Sequence, residues 1–278
     1  MSSPTLQSQA VDTSVARSWL LRGPANYSDI VAAESCGADV VVLDLEDSVA
    51  ENEKHQAREN VWRWLDQGKP TWVRINDVCT PHWSHDLDML SSVKGVAGVM
   101  LAKAEHHDQI AATAARLPAG TPIVALVESA LGLEEARGIA GASSVTRLAF
   151  GTGDFRKDIG AAADPVSLAY ARSRLVVASR AERIHAPIDG PTLTDSTDDY
   201  RAGIKVGIAA GMTGKLCLSS QHARLINDEL TPSAADVRWA EATIARLGVD
   251  GAQVKYGSER PQLERARKIR ELVAAFSR

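Results

Sequence analysis

Short apolar runs alternate with longer amphipathic stretches along most of the chain. The apolar runs are rich in Val, Leu and Ile, whereas the stretches between them carry Ala, Glu and Arg at helical spacing. Runs that are apolar at every position are typical of strands buried on both faces, as in parallel sheets. The pattern predicts eight strands, at 19–22, 40–45, 72–75, 98–101, 123–127, 148–151, 186–188 and 215–218.

Helical patterns lie between these strands, which indicates repeated βα units. Helices are predicted at 51–65, 108–117, 132–140, 165–184 and 197–210. Eight βα units in about 220 residues suit a (β/α)8 TIM barrel. A doubly wound sheet is the alternative, but no Gly-rich phosphate-binding motif follows the first strand, where only Gly23-Pro24 occurs.

The pattern changes after the eighth strand. Thr231-Pro232-Ser233 is typical of a helix start, and helices are predicted to about Leu247 and near 262–276. We therefore expect a disordered N-terminal segment at 1–15, a barrel at 16–226 and a C-terminal helical extension at 227–278. The extension has apolar residues at helical spacing, which would cover its own barrel or a neighbouring subunit. They are Val237, Ala240, Ile244, Leu247, Leu263, Ala266, Ile269 and Leu272.

Composition narrows the class of partner. The chain has 278 residues and a net charge of −4, so no basic excess favours nucleic acid or an anionic membrane surface. No apolar run approaches the roughly 20 residues that span a bilayer. The polar N-terminus has no signal-peptide pattern. Cys36, Cys79 and Cys217 are scattered and lack metal-ligand spacing, which favours reduced thiols and a cytoplasmic protein.

Charged residues stand at or just after the ends of five consecutive predicted strands. In a (β/α)8 barrel the C-terminal strand ends form one rim, which carries the active site. The sequence therefore brings acids and cations together at this rim. They are Asp44, Glu46 and Asp47 after the second strand, Arg74 in the third, Lys103 after the fourth, Glu128 after the fifth and Asp154 after the sixth.

A magnesium site would explain this cluster, because adjacent carboxylates are unfavourable without a compensating cation. Glu128 and Asp154 are oxygen ligands of the kind that Mg²⁺ prefers, and Arg74 suits bidentate binding of a substrate carboxylate. Asp44, Glu46 and Asp47 would anchor Arg74 or accept hydrogen bonds from metal-bound water.

Each feature has an ordinary alternative. Asp47 with Ser48 could cap a helix, Glu128 could be solvated, and Arg74 could form a structural ion pair. His82 and His85 have HxxH spacing, and His106-His107 precedes a helix, but neither pair has a third ligand nearby in sequence, so we expect surface histidines. The sequence has no GxSxG motif for acyl-enzyme hydrolysis.

The assembled motifs resemble the citrate lyase β-subunit-like family, within the HpcH/HpaI-type aldolase superfamily. That family includes Mg²⁺-dependent malyl-CoA and citramalyl-CoA lyases on a (β/α)8 barrel. The matching stretches occur in family order and span most of the chain. They are "RSWLL", "GADVVVLDLEDSVAENEKHQAR", "WVRIN", "GVMLAKAE", "IVALVESALGL", "LAFGTGDF", "YARSRLVVASRA", "APIDGP" and "TPSAADVRWA".

The resemblance implies a role for each rim residue. Arg74 of "VRIN" would bind the substrate carboxylate, while Glu128 of "LVES" and Asp154 of "GTGD" would bind the metal. Glu46 and Asp47 would take part in the chemistry, with Asp44 and Lys103 supporting them. The reaction would cleave or form a C–C bond between an acyl-CoA and a 2-oxo acid such as glyoxylate, pyruvate or oxaloacetate, in a homotrimer or hexamer.

Three departures from the family pattern leave the substrate open. Ser28 and Ala32 stand at usually basic positions that meet CoA phosphates, so only Arg22 supplies nearby charge. Ser219-Ser220 replaces a His-Pro pair after the last strand, and Glu259 stands where relatives carry a tail Asp that acts in a neighbouring subunit. The alternatives are a CoA-independent 2-oxo acid aldolase and a partner-dependent or non-catalytic lyase-complex subunit.

Overall fold

Eight parallel strands form a closed barrel in the computed structural model, which describes residues 11–277. Each strand pairs with the next in sequence, and the first pairs with the eighth through Trp19 and Leu216. The predicted (β/α)8 barrel is therefore confirmed. The strands are β1 Ser18–Arg22, β2 Val40–Asp44, β3 Thr71–Ile75, β4 Val96–Leu101, β5 Ile123–Val127, β6 Val145–Phe150, β7 Ile188–Asp189 and β8 Gly214–Cys217.

Helices surround the barrel and continue beyond it. Four of them, at 27–34, 81–91, 152–159 and 220–230, lie outside the predicted helices. The last two follow their strands almost directly, so no separating turn marks where they begin. The helices are α1 Tyr27–Glu34, α2 Lys54–Asp66 after a 3₁₀ turn at Glu51–Glu53, α3 Pro81–Ser91, α4 His107–Ala114, α5 Ala130–Glu134, α6 Ala136–Ala140, α7 Thr152–Ile159, α8 Ala169–Ala181, α9 Thr197–Ala210, α10 Ser220–Leu230, α11 Ala234–Leu247 and α12 Glu259–Phe276. In the described part of the chain, none of these helices is long and apolar enough to cross a bilayer.

Strand alternation divides the core into two layers. Val42, Trp72 and Leu126 belong to the cluster inside the barrel, whereas Leu43 and Val73 belong to the larger cluster between strands and helices. Side chains two residues apart on a strand share a face. The residues two positions after Val42, Trp72 and Leu126 therefore continue the interior face to the C-terminal rim. They are Asp44, Arg74 and Glu128.

A buried guanidinium closes the opposite, N-terminal end of the barrel. Arg147 is 1% exposed. Its N–H groups donate to carbonyl oxygens that include those of Thr13, Ala16 and Ala186. Burial lowers the pKa of Arg147 to about 9. This end is therefore filled by structural contacts, which leaves the C-terminal rim for chemistry. Of the predicted disordered segment 1–15, residues 1–10 lie outside the described residues.

The C-terminal extension is a helical hairpin. Ala240 of α11 packs on Ala266 and Ile269 of α12, so the apolar faces of these two helices cover each other. The hairpin is attached to the barrel through Arg17, which lies 3.9 Å from the centre of the Phe276 ring and donates to Thr231 Oγ1 at 2.6 Å. The border expected at 226 falls inside α10. Of Thr231 and Ser233, the two residues from which the sequence could supply the cap of α11, Ser233 is the one that caps it.

Candidate active site at the C-terminal rim

Arg74 and Asp44 form the fixed centre of the rim. They are direct partners in the register of β2 and β3. Arg74 Nε and Nη2 donate to the two Asp44 carboxylate oxygens at 2.6 and 2.7 Å. Both residues are buried, at 6% and 1% exposure. The bidentate pair is thus charge-assisted and shielded from water.

The pair stays ionised despite its burial. Burial opposes the charge of Arg74, but the Asp44 carboxylate outweighs it and raises the pKa of Arg74. Burial likewise opposes the charge of Asp44. The positive charge of Arg74 outweighs the effect of burial, so the pKa of Asp44 is lowered. Asp44 also accepts hydrogen bonds from the backbone N–H groups of Glu46 and Ser48. Asp44 therefore orients both Arg74 and the loop that carries the next acid.

Glu46 is a buried acid with an incompletely satisfied carboxylate. Its Oε2 atom lies 2.8 Å from Arg74 Nη1, but the N–H bond does not point at it. Within residues 11–277, this buried oxygen has no hydrogen-bond donor. Burial raises the pKa of Glu46 to about 7, although Arg74 opposes the shift. Asp47 lies further out, 3.8 Å from Arg74 Nη1, and its side chain is 60% exposed.

Glu128 is the second buried acid. It is 5% exposed and follows β5 directly. Its Oε1 accepts the backbone N–H of Lys103 at 2.8 Å. Burial raises the pKa of Glu128 to about 8, and the nearby charges of Glu46 and Asp154 act in the same direction. A carboxylate in this position gains from any added cation.

Gly151 makes room for the Glu128 side chain. A Cβ at position 151 would lie 2.3 Å from Glu128 Oε2 and 2.5 Å from its Cβ. Gly151 precedes α7, whose first turn carries the half-buried Asp154. The "GTGD" turn thus accommodates one acid and presents the other. This role of Gly151 is not among the sequence predictions, although its place in the turn was the available signal.

A cation would fit between these acids. Burial raises the pKa values of Glu46 and Glu128, so their carboxylates would gain from an added positive charge. Residues 11–277 contain no group of three or more His, Cys, Asp or Glu side chains arranged to hold a metal. Two carboxylates suit Mg²⁺, which takes its remaining oxygens from water and substrate. Glu128 and Asp154 are the residues that could hold it.

Lys103 faces the acids from the end of β4. Its ammonium nitrogen lies 3.8 Å from Glu46 Oε1, and its side chain is 43% exposed. Its backbone has a positive φ of 49°. Side chains with a Cβ rarely adopt this conformation, which costs energy and is often found at functional sites.

A polar network behind the rim holds the loop of Glu46. Lys54 Nζ donates to the carbonyl oxygens of Leu45 and Glu46, each at 2.7 Å, and to Asn76 Oδ1 at 2.9 Å. Asn76 Nδ2 in turn donates to Asp86. Lys54 and Asp86 are supporting residues that the sequence analysis missed. Lys54 lies within the quoted "DLEDSVAENEK" stretch, but only the tertiary structure shows its three acceptors.

Glu259 and Arg22 are the other candidates from the sequence. Glu259 begins α12, and in the described part of the chain its carboxylate accepts hydrogen bonds from the backbone of Lys255 and Tyr256 and from Arg246. These partners all belong to the tail. Arg22 ends β1, and its Nε is buried without a hydrogen-bond partner among residues 11–277.

The positions that depart from the family pattern lie on α1 and α10. Ser28 and Ala32 are exposed on α1 and carry no charge. Ser219 caps α10 by accepting the N–H of His222. The His222 ring stacks on Tyr200 with ring centres 3.8 Å apart.

A cavity of about 690 Å³ lies far from the acids. It is at the N-terminal end of the barrel, bordered by Arg17, Asp39, Trp64 and Phe276 among others. Since (β/α)8 enzymes react at the other end, we assign this cavity to packing between the barrel and the tail.

Comparison with known proteins identifies the family. The sequence matches the HpcH/HpaI aldolase/citrate lyase family over residues 23–220 and the HpcH/HpaI aldolase C-terminal domain over residues 235–277. It is 28% identical to a citrate lyase subunit beta-like protein of Deinococcus radiodurans over 90% of this chain and 95% of that protein. It is 31% identical to an L-malyl-CoA/beta-methylmalyl-CoA lyase of Cereibacter sphaeroides over 81% and 80% of the two chains.

Solved structures agree with this match. RipC from Yersinia pestis is 30% identical, with a TM-score of 0.72 over 82% of this chain and all of RipC. CitE from Mycobacterium tuberculosis, in complex with magnesium, acetoacetate and coenzyme A, is 25% identical. Its TM-score is 0.79 over 94% of this chain and 99% of CitE. The predicted resemblance is confirmed, and the chain belongs to the HpcH/HpaI aldolase/citrate lyase family.

Proposed function

We propose that this protein is a Mg²⁺-dependent carbon-carbon lyase that cleaves or forms a 3-hydroxyacyl thioester or a related hydroxy acid. The 2-oxo acid partner would be glyoxylate, pyruvate or oxaloacetate. The observation that carries the proposal is Glu128. It is a buried acid fixed by the Lys103 amide, accommodated by Gly151 and close enough to Asp154 for that charge to raise its pKa.

Glu128 and Asp154 would hold the ion, which would chelate the 2-oxo acid and stabilise negative charge on its oxygen. Arg74 would attract the substrate carboxylate. Because Asp44 occupies the Nε and Nη2 edge of Arg74, the substrate would meet its remaining N–H groups. Glu46 and Asp47 would line the site and exchange protons with the substrate. These acids lie on a loop whose carbonyls are held by Lys54, so their positions are set before substrate binds.

The proposed assembly is a homotrimer or hexamer in which Glu259 from one subunit serves the site of another. In such an assembly Glu259 would exchange its present partners in the tail for substrate. The attachment of the hairpin through Arg17 is compatible with this arrangement. The cytoplasmic location expected from the sequence stays a prediction.

Relatives named for malyl-CoA and citramalyl-CoA make an acyl-CoA the first substrate to test. The uncharged, exposed Ser28 and Ala32 favour a second candidate, a CoA-independent 2-oxo acid aldolase. Arg22 is the nearby residue that could supply positive charge. The CoA phosphates would therefore gain little electrostatic attraction on this side of the rim.

The test is release of a 2-oxo acid from a panel of substrates. Malyl-CoA, citramalyl-CoA and the corresponding free hydroxy acids would be incubated with the protein and Mg²⁺, and the product trapped with phenylhydrazine. We expect product from at least one of them. Activity should require Mg²⁺ and fall at least 100-fold in Glu128→Gln or Asp154→Asn.

A matched control uses an acid outside the proposed ion site. Asp108 is the second residue of α4 and its side chain is 87% exposed, so Asp108→Asn should keep full activity. Release from the free acids alone would favour the CoA-independent aldolase. Mg²⁺ and 2-oxo acid binding without turnover of any substrate would favour the partner-dependent subunit and reject lyase activity of the isolated chain.

A further inference from the structure

The rim has two cations beside the acids, and they differ in how firmly they are held. The Arg74 side chain is 7% exposed and bonded to both oxygens of Asp44. Any movement of Arg74 toward a ligand would leave a buried carboxylate unpaired, which is unfavourable. Arg74 is therefore a fixed charge.

Lys103 is the less constrained cation. Its ammonium is 3.8 Å from Glu46 Oε1, too far for a hydrogen bond. In residues 11–277 it forms no side-chain hydrogen bond of its own, and 43% of the side chain is exposed. Burial opposes its charge, but Glu46, Asp154 and Glu128 outweigh burial and raise the pKa of Lys103, so it remains an ammonium ion.

The backbone of Lys103 supplies a second observation. Lys103 and Arg183 are the non-glycine residues with positive φ in the described chain, and Lys103 lies at the rim. The Lys103 N–H donates to Glu128 in this conformation. One residue thus fixes the proposed metal-binding acid through its backbone, while its ammonium lies near the same acids without a hydrogen bond. Strain of this kind persists where the surroundings hold it and is concentrated at functional sites.

We propose that Lys103 is a substrate-contacting catalytic residue, whose ammonium leaves Glu46 and donates to the acyl oxygen that becomes negative during C–C cleavage. This inference rests on the proposed lyase function. When the bond between the carbinol carbon and the acyl α-carbon breaks, the hydroxyl proton passes to a carboxylate base. The carbinol oxygen becomes the carbonyl of the 2-oxo acid.

The electron pair of the broken bond forms an enolate on the acyl oxygen, and the α-carbon is then protonated. Lys103 remains charged throughout and stabilises the enolate electrostatically. Removing one preorganised donor to such an oxygen lowers kcat roughly 10²–10³-fold in well-studied enzymes. The oxygens of the 2-oxo acid are the part of the substrate assigned to the ion, so the acyl oxygen requires a separate donor.

Lys103→Asn tests the proposal, because Asn tolerates positive φ and keeps the N–H that holds Glu128. Calorimetry in Mg²⁺ would compare two probes. Pyruvate represents the 2-oxo acid, and malate places a negative carboxylate where the acyl carbonyl would lie. We expect pyruvate affinity within twofold of the parent and malate affinity lower by at least tenfold. Lyase kcat should fall roughly 100-fold.

Two further variants separate chemistry from structure. Lys103→Gly also permits positive φ, and added butylammonium should restore part of its lost activity. Lys94 is exposed before the start of the same strand, so Lys94→Asn is the matched control and should leave both affinities unchanged.

Equal losses of pyruvate and malate affinity in Lys103→Asn would reject the contact, because they would mean that Lys103 acts only through Glu128. Unchanged malate affinity would reject it too. If the parent cleaves no substrate and Lys103→Asn still loses malate affinity selectively, the lyase proposal fails and the contact stands. If the parent binds neither probe, both proposals fail.

Discussion

Glu128→Gln is expected to stabilise the protein in the absence of a metal ion. Gln has the same shape and keeps an acceptor for the Lys103 N–H, but it removes a carboxylate that is 5% exposed. The pKa of Glu128 is raised from 4.5 to about 8, chiefly by burial. Since the folded state holds the proton more tightly than the unfolded chain, stability is highest below pH 4.5 and falls as pH rises toward 8.

The pKa values give the size of this effect. At pH 7 the unfolded chain is about 2.5 pH units above its pKa, while folded Glu128 is still mostly protonated. Each unit corresponds to about 1.4 kcal/mol, so the folded state loses on the order of 3 kcal/mol. Gln has no such proton linkage. The variant should therefore be more stable than the parent at pH 7, and the two should converge near pH 4.

The assay is urea unfolding in EDTA at several pH values, repeated with saturating Mg²⁺. The ion should stabilise the parent by mass action and leave the Gln variant unchanged. Asp108→Asn, at an 87% exposed site, should stay within about 0.5 kcal/mol of the parent. The reasoning is refuted if the Gln variant is no more stable than the parent at pH 7 without metal, or if its advantage persists at pH 4.

Three further predictions test the rim and the tail. Gly151→Ala should displace Glu128, abolish Mg²⁺ binding in calorimetry and lower the free energy of unfolding in urea by about 1–3 kcal/mol. Gly153→Ala, where a Cβ has open space, should retain Mg²⁺ affinity. Equal affinities in the two variants would contradict the steric argument. Arg74→Lys loses the bidentate bond to Asp44, so the free energy of unfolding should fall by roughly 1.5–3 kcal/mol. The affinity for the 2-oxo acid should fall as well, and an unchanged affinity would count against a substrate role for Arg74. Mixing Arg74→Ala and Glu259→Ala chains should restore part of the activity if sites are shared between subunits, because some mixed sites would carry both original residues. Strictly monomeric behaviour in sedimentation, or no recovery of activity after subunit exchange, would remove Glu259 from the mechanism.

Local patterns in the sequence were sufficient for the barrel and for the location of the rim. Buried parallel strands are apolar at every position, and this signal does not depend on which strand lies next to which. The predicted strand 123–127 matches β5 at both ends, while the strand predicted at 186–188 is observed at Ile188–Asp189. That strand has two residues, so its pattern is too short to fix its position.

The tail shows the limit of such patterns. Its apolar spacing correctly predicts amphipathic helices, and α11 ends at Leu247 as expected. Spacing alone does not say what an apolar face will cover. The structure pairs the two helices with each other, and α12 begins at Glu259, three residues before the predicted start.

The sequence by itself indicated that Asp44, Arg74 and Glu128 would meet at one end of a barrel, because each stands at or next to the end of an apolar strand of the kind that parallel sheets bury. Only the tertiary structure decided how they are used. The register of β2 against β3 places Asp44 opposite Arg74 and commits that guanidinium to a neighbour 30 residues away. The close packing of Glu128 against Gly151 and the partly exposed ammonium of Lys103 arise in the same way, since both depend on groups that are distant in sequence and adjacent only after folding.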